Sequence, residues 1–295
     1  MKAVPVRHLL LALAVVAIWG TNFVVIKLAL AHLPPLLFAA LRFAFTVVPA
    51  AFCLSRPAVP WKQLAAYGVL LGVGQFGLLY IAINGFISPG LASLVVQMQV
   101  FFTIALAMRL DGESLQPFQW FAMVLAVAGI AVIADHADHT TTLTGLALVL
   151  SAALSWAGAN VVGRRAGRVN MLAYVVWASV FAVPPLLLLS LFIDGPAAVW
   201  KGLHEADAGT WAAVLWQSAG NNLFGFAAWA WLLGRHPAAS IAPMALLVPL
   251  FGMAASAWWL AEPLPIWKML AAVLVLSGLA LNLWWPRFRS VWAVG

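Results

Sequence analysis

Charge is what this chain has least of. Of its 295 residues only 8% are Asp, Glu, Lys or Arg, where an ordinary soluble domain carries roughly a quarter, so a water-solvated globule is excluded. The acids are scarcest: Asp111, Glu113, Asp135, Asp138, Asp194, Glu205, Asp207 and Glu262 are all of them, and each falls between apolar runs or at their ends. No carboxylate is left for a proton relay at mid-membrane. Cys53 is the only cysteine, so neither an internal disulfide nor a thiolate metal site can form. HExxH, GxSxG and P-loop patterns are absent, and an intramembrane enzyme would need a nucleophile or a carboxylate pair inside a span. The ligand types in Asp135-His136-Ala137-Asp138-His139 suit zinc, but on one short polar connection they read as a solvated turn. No metal or cofactor is expected.

What fills the chain is apolar sequence, 65% of residues. Runs of about twenty such residues recur near 8–30, 35–55, 63–86, 89–109, 116–135, 143–163, 170–193, 209–233, 238–260 and 266–286. Backbone amides in hydrocarbon must be satisfied within the segment, and barrel strands would be shorter and alternate in period two. The predicted fold is therefore an all-α integral membrane protein of ten transmembrane helices, and too few residues remain for a soluble catalytic domain. The first run follows Lys2 and Arg7 like a signal peptide, but it is too long and nine more follow, so it is expected to be retained.

Basic residues set the orientation. With a cytoplasmic N-terminus, the inner segments hold Lys2, Arg7, Arg56, Lys62, Arg109, Arg164, Arg165, Arg168, Arg235, Arg287 and Arg289; the outer ones hold only Lys27, Lys201 and Lys268. Both termini are thus expected in the cytoplasm. Because the basic residues are spread over short loops, nucleic acid is not an expected partner.

The chain also states one plan twice. Trp19-Gly20-Thr21-Asn22 is answered by Trp156-Ala157-Gly158-Ala159-Asn160, Val48-Pro49 by Val183-Pro184, Pro89-Gly90-Leu91-Ala92-Ser93 by Pro237-Ala238-Ala239-Ser240, Glu113-Ser114-Leu115 by Glu262-Pro263-Leu264, and Gly129-Ile130-Ala131-Val132 by Gly278-Leu279-Ala280-Leu281. Residues 1–140 and 141–295 are expected to be two five-helix repeats. Five is odd, so the second repeat enters from the opposite side, and inverted repeats give a route to alternating access.

Polar side chains inside the spans mark the expected pathway, since unpaired amides in lipid are costly. Asn22, Gln75, Tyr80, Asn84, Gln97, Gln99, Trp156, Asn160, Asn221 and Asn222 are the candidate substrate-binding residues. Tyr80 and Asn84, and Trp156 and Asn160, are four apart and share a helix face. The competing role for such amides is to bridge helices. Trp19, Lys27, Arg42, Pro243 and Pro249 are candidates for gating or structure: Lys27 as a snorkelling lysine, Arg42 as a cation joining the first two spans or, second, attracting an anionic group such as a substrate carboxylate, the prolines as hinges. Gly68 and Gly72 have the small-xxx-small spacing of close helix packing.

The stretch Trp19 to Lys27, Leu41-Arg42-Phe43, the glutamates Glu113 and Glu262 and the five-plus-five plan resemble the EamA family of the drug/metabolite transporter superfamily, over essentially the whole chain. Gln75-Phe76, Ala82-Ile83-Asn84, Gly90-Leu91-Ala92-Ser93-Leu94-Val95, Gln97, Gln99, Ser155-Trp156-Ala157 and Leu246-Leu247-Val248-Pro249 are similar to its bacterial members that export amino-acid metabolites. The resemblance implies an inner-membrane exporter of amino acids and related small metabolites, a monomer or weak dimer among lipid. Export of aromatic amino acids or drugs is the nearest alternative, and a lipid flippase or an intramembrane enzyme the alternative of another class.

Overall fold

A computed structural model describes residues 4–111, 116–167 and 169–292, and among these residues the regular structure is entirely helical. Glu113, Lys2 and Arg168, and the side chains of Arg287 and Arg289, lie outside the described residues. The principal helices are α1 (Val6–Ala29), α2 (Pro35–Ala50), α3 (Trp61–Ile83), α4 (Pro89–Leu110), α5 (Pro117–Asp135), α6 (Leu143–Arg164), α7 (Met171–Ile193), α8 (208–235), α9 (Ala242–Trp259) and α10 (Ile266–Trp292). Eight of them are long and apolar enough to cross a bilayer. The two exceptions are α2, which is shorter, and α8, whose Gln217, Asn221 and Asn222 lower its hydropathy.

Helix ends follow local chemistry. Pro35, Pro89 and Pro117 open α2, α4 and α5 at a position where a missing N–H costs nothing. Thr142 Oγ1 accepts from the Gly145 amide at 2.9 Å, and Asp207 Oδ1 from the Thr210 amide at 2.7 Å, satisfying first-turn donors. Gly85, at φ 132°, stops α3 immediately after Asn84.

The two halves share irregularities as well as order. In each half the third helix contains a π-helical stretch, Leu70–Gly77 in α3 and Trp216–Phe224 in α8, and the fourth a 3₁₀ stretch, Val96–Met98 in α4 and Ala242–Leu246 at the start of α9. Such departures from the i→i−4 ladder concentrate at hinges and functional sites.

Close packing rests on glycine. Gly20 of α1 lies against Phe251 and the Val248 carbonyl, Gly252 of α9 against Ser93 of α4, and Gly129 and Gly278 seat α5 and α10 on each other. Gly68 of α3 faces the Ala178 carbonyl and Gly72 faces Ala182, both on the chain from α7 onward. A Cβ at residue 68 would collide with backbone that cannot swing aside. Gly68→Val is expected to lower stability by about 1–3 kcal/mol, read as a reduced unfolding midpoint in detergent; an unchanged midpoint would mean that α3 and α7 do not pack this closely.

One end of the bundle is tied by contacts between sequence-distant segments. At this end, opposite the N-terminus of α1, the Thr142 amide donates to the Phe86 carbonyl at 2.8 Å, Thr210 Oγ1 and His32 Nδ1 lie 2.9 Å apart, and His136 stacks on Trp267 with centroids 5.0 Å apart. Asp138 folds the turn before α6, accepting from the amides of Thr140 at 2.7 Å and Thr141 at 2.8 Å.

Candidate functional site

At the other end the helices part. A cavity of about 550 Å³ opens among α3, α4, α6, α7 and α10, with Tyr67, Gln99, Thr103, Asn160, Arg164 and Asn282 on its walls. Asn160 Nδ2 donates to Gln99 Oε1 at 2.8 Å and to Thr103 Oγ1 at 3.4 Å. The 3₁₀ turn just before Gln99 makes this possible, because three residues per turn instead of 3.6 changes which face the rest of α4 presents. The walls are otherwise apolar, with a few convergent amides, the usual make-up of a small-molecule site.

Deeper in the bundle lies a second polar cluster, fully enclosed. Arg42 of α2 is 0% exposed. One terminal nitrogen donates to Tyr80 Oη at 3.0 Å, the other to Asn221 Oδ1 at 3.0 Å and to Asn222 Oδ1 in a shorter bond. Its guanidinium carbon sits 3.6 Å from the centre of the Phe76 ring. Tyr80 Oη donates in turn to Gln217 Oε1 at 3.2 Å, Asn222 Nδ2 to Thr46 Oγ1 at 3.0 Å, and Trp19 Nε1 to the Asn221 carbonyl at 3.3 Å. Phe76, Gln217, Asn221 and Asn222 all belong to the two π-helical stretches.

At the tied end stands Glu262, in the loop between α9 and α10. It accepts from Lys268 Nζ at 2.8 Å, the Gly90 amide at 3.1 Å and the hydroxyls of Ser88 and Ser256. Burial works against the charged carboxylate, but the bonds from Lys268, Ser256 and Ser88 outweigh it and hold the pKa below the usual glutamate value. Three segments, the start of α4, the end of α9 and the start of α10, meet on this one side chain.

Of the residues expected to bind substrate, Gln99 and Asn160 come together on the open cavity, while Tyr80, Asn221 and Asn222 gather on Arg42. Gln75 and Asn22 are buried nearby in sequence, each with an amide oxygen lacking a partner. Gln97 is half-buried in the 3₁₀ turn, and Trp156 is half-buried one turn from Asn160. Asn84 is set apart, an exposed residue at the end of α3 where Gly85 breaks the helix. Two roles change. Arg42 hydrogen-bonds to α3 and α8 rather than joining α1 to α2, because its acceptors are amides and a phenol distant in sequence. Lys27 does not snorkel freely: its Nζ donates to the Ile83 carbonyl at 3.2 Å, at the last turn of α3. Pro243 lies in the 3₁₀ stretch and Pro249 is buried within α9. Thr103, Tyr67 and Asn282 on the cavity, Gln217 on the buried cluster, and Lys268 beside Glu262 complete the polar sites.

A family profile described as the EamA-like transporter family matches residues 6–134 and 143–284. The chain belongs to the EamA-like transporter family. It is 38% identical over 286 residues to a protein of Salmonella typhimurium named "Probable amino-acid metabolite efflux pump", covering 95% of both chains. A protein of Escherichia coli bearing the same name is also 38% identical, over 292 residues and 97% of each chain. A solved crystal structure superposes with a TM-score of 0.62 at 19% identity, over 95% of this chain and 97% of that one, so the likeness is one of fold. With eight helices able to cross a bilayer, this EamA-like transporter is a multi-pass inner-membrane protein.

Proposed function

We propose that this transporter exports amino acids and related small metabolites across the inner membrane by alternating access between two inverted five-helix repeats. The eight long apolar helices, taken together with α2 and α8, support a reading of ten spans. The shared π and 3₁₀ stretches and the two stretches matched by the family profile support residues 1–140 and 141–295 as repeats. The loops rich in Arg and Lys favour an orientation with the open cavity on the cytoplasmic side and Glu262 on the outer side.

One observation carries the proposal: a polar-tipped cavity of about 550 Å³ opens at one end of the bundle, while hydrogen bonds between sequence-distant segments tie the other end together. This is an inward-open exporter waiting for cytoplasmic substrate. The volume falls within the range of about 300–1,000 Å³ common to small-molecule sites, and the names of the relatives point to amino-acid metabolites. Neutral amides at Gln99 and Asn160 accept a range of side chains without fixing their charge.

Purified protein in liposomes is expected to move labelled amino acids without chemical change, and a pH gradient across the same vesicles tells proton coupling from exchange. Failure to move any member of a broad amino-acid panel would overturn the assignment. Asn160→Ala removes the amide that links α6 to α4 and is expected to slow transport about tenfold, equivalent to one hydrogen bond realised with substrate, while insertion and unfolding midpoint stay near wild type. Normal transport by this variant would remove Asn160 from the site.

A lipid-facing alternative has one feature in its favour. An apolar groove of about 340 Å³ between α4 and α5 shares Ile104 with the open cavity. Transport of headgroup-labelled phospholipid in the same vesicles would select it.

A further inference from the structure

Arg42 is a buried cation without an anion. Among the described residues no carboxylate pairs with it, and its partners are a phenol and two amide oxygens, all neutral. Neutral acceptors offset only part of what it costs to remove a guanidinium from water. Its Nε, moreover, is buried with no partner.

That orphan donor has company. Gln217 Nε2, one hydrogen bond beyond Tyr80, is a second buried donor without a partner. Buried polar groups are normally satisfied, so two unpaired donors joined through Tyr80 in one cluster call for a ligand. Two donors, one of them cationic, match a carboxylate.

We propose that Arg42, with Gln217, forms the recognition site for the carboxylate of a zwitterionic α-amino acid. Assigning the site this ligand presupposes the amino-acid exporter proposed above. Arg42 is sealed off in the inward-open state, with Phe76 over its face; Phe76 and Gln75 lie on the π-helical stretch of α3 and Gln217 on that of α8. A change of register in those stretches turns Phe76 off the guanidinium and admits substrate from the cavity, and exit to the outer side then regenerates the neutral cradle.

The experiment is competition against transport of labelled amino acids in proteoliposomes, using the unlabelled amino acid and its methyl ester. Wild type is expected to prefer the free amino acid to the ester by about tenfold or more, the equivalent of one charge-assisted hydrogen bond. Arg42→Gln is expected to abolish that preference, so that acid and ester compete equally, and Arg42→Lys to retain part of it. The free amino acid, but not the ester, is expected to raise the unfolding midpoint of the wild-type protein, a readout that stands even if Arg42→Gln does not fold. Transport of amino acids by wild type with no preference for the acid over the ester would overturn the site and leave the exporter standing. Absence of amino-acid transport and of any thermal shift would overturn both.

Discussion

Replacing Glu262 with Ala is expected to release the contacts that the α9–α10 loop makes at its end of the bundle, with a loss of about 3–5 kcal/mol in stability, the range for removing one partner of a buried ion pair. Lys268, 3% exposed, would be left charged and without its carboxylate. The start of α4 would lose the group that accepts from Ser88 and Gly90, at a helix N-terminus where negative charge is favourable. Lys268→Met is expected to cost less, since Glu262 keeps Ser88, Gly90 and Ser256 as donors. Two measurements read the effect: the unfolding midpoint in detergent, and labelling of a cysteine at Ser93 by a membrane-impermeant maleimide added outside, in a protein lacking Cys53. Ser93 is 0% exposed and packs on Gly252. Faster labelling in Glu262→Ala than in wild type is the expected result, and equal labelling with an unchanged midpoint would mean that Glu262 ties nothing together.

The sign of the pH dependence follows from the same contacts. Hydrogen bonds depress the Glu262 pKa in the folded protein, so its contribution is complete above the unfolded value of about 4.3 and is lost as the pH falls through the lower folded value. That contribution is therefore indifferent to outside pH between about 5 and 8. Any pH dependence of transport in that interval must come from groups other than Glu262.

Much of this architecture is legible in the sequence, because lipid leaves the backbone few choices. A run such as Val6–Ala29 must be helical, Pro35, Pro89 and Pro117 announce helix starts, and the duplicated motifs give the order of elements. The polar sites are legible only in kind. Pairing residues four apart assumes an uninterrupted α-helix, which holds for Trp156 and Asn160; Asn84 also keeps its bond to the Tyr80 carbonyl, at 3.0 Å, but as the last residue before Gly85 it stands exposed while Tyr80 is buried on Arg42. The π stretches in α3 and α8 and the 3₁₀ turn in α4 re-phase the residues that follow them, and no local pattern in composition marks their position. Thr103 follows Gln99 by one turn and donates to its backbone carbonyl at 2.7 Å, so its place on that face follows from helical spacing, whereas Asn282 is brought to the cavity from α10 by tertiary packing. Arg42 declares itself as an anomaly, yet its partners Asn221 and Asn222 lie 179 and 180 residues away.

The Arg42 cradle supplies the second large effect. Asn222→Leu removes one acceptor from the guanidinium and leaves Thr46 Oγ1 without its donor; a hydrogen bond to a charged group is worth about 1.5–3 kcal/mol, so the unfolding free energy should fall by that amount or more, read as a lower unfolding midpoint. Asn221→Leu should cost less, because the Trp19 indole bonds to the backbone carbonyl of Asn221 and survives the change. Arg42→Met separates folding from recognition. It strands the acceptors on Asn221 and Asn222 but removes the buried charge, and apolar replacements of buried ions are often tolerated when their partners are replaced as well. The double variant Arg42→Met/Asn222→Leu should therefore be more stable than the two single losses added together, with a coupling of about 0.5–3 kcal/mol, while its preference for free amino acid over ester stays abolished. A cycle that closes additively would mean that Arg42 and Asn222 do not share the buried bond on which the site is built.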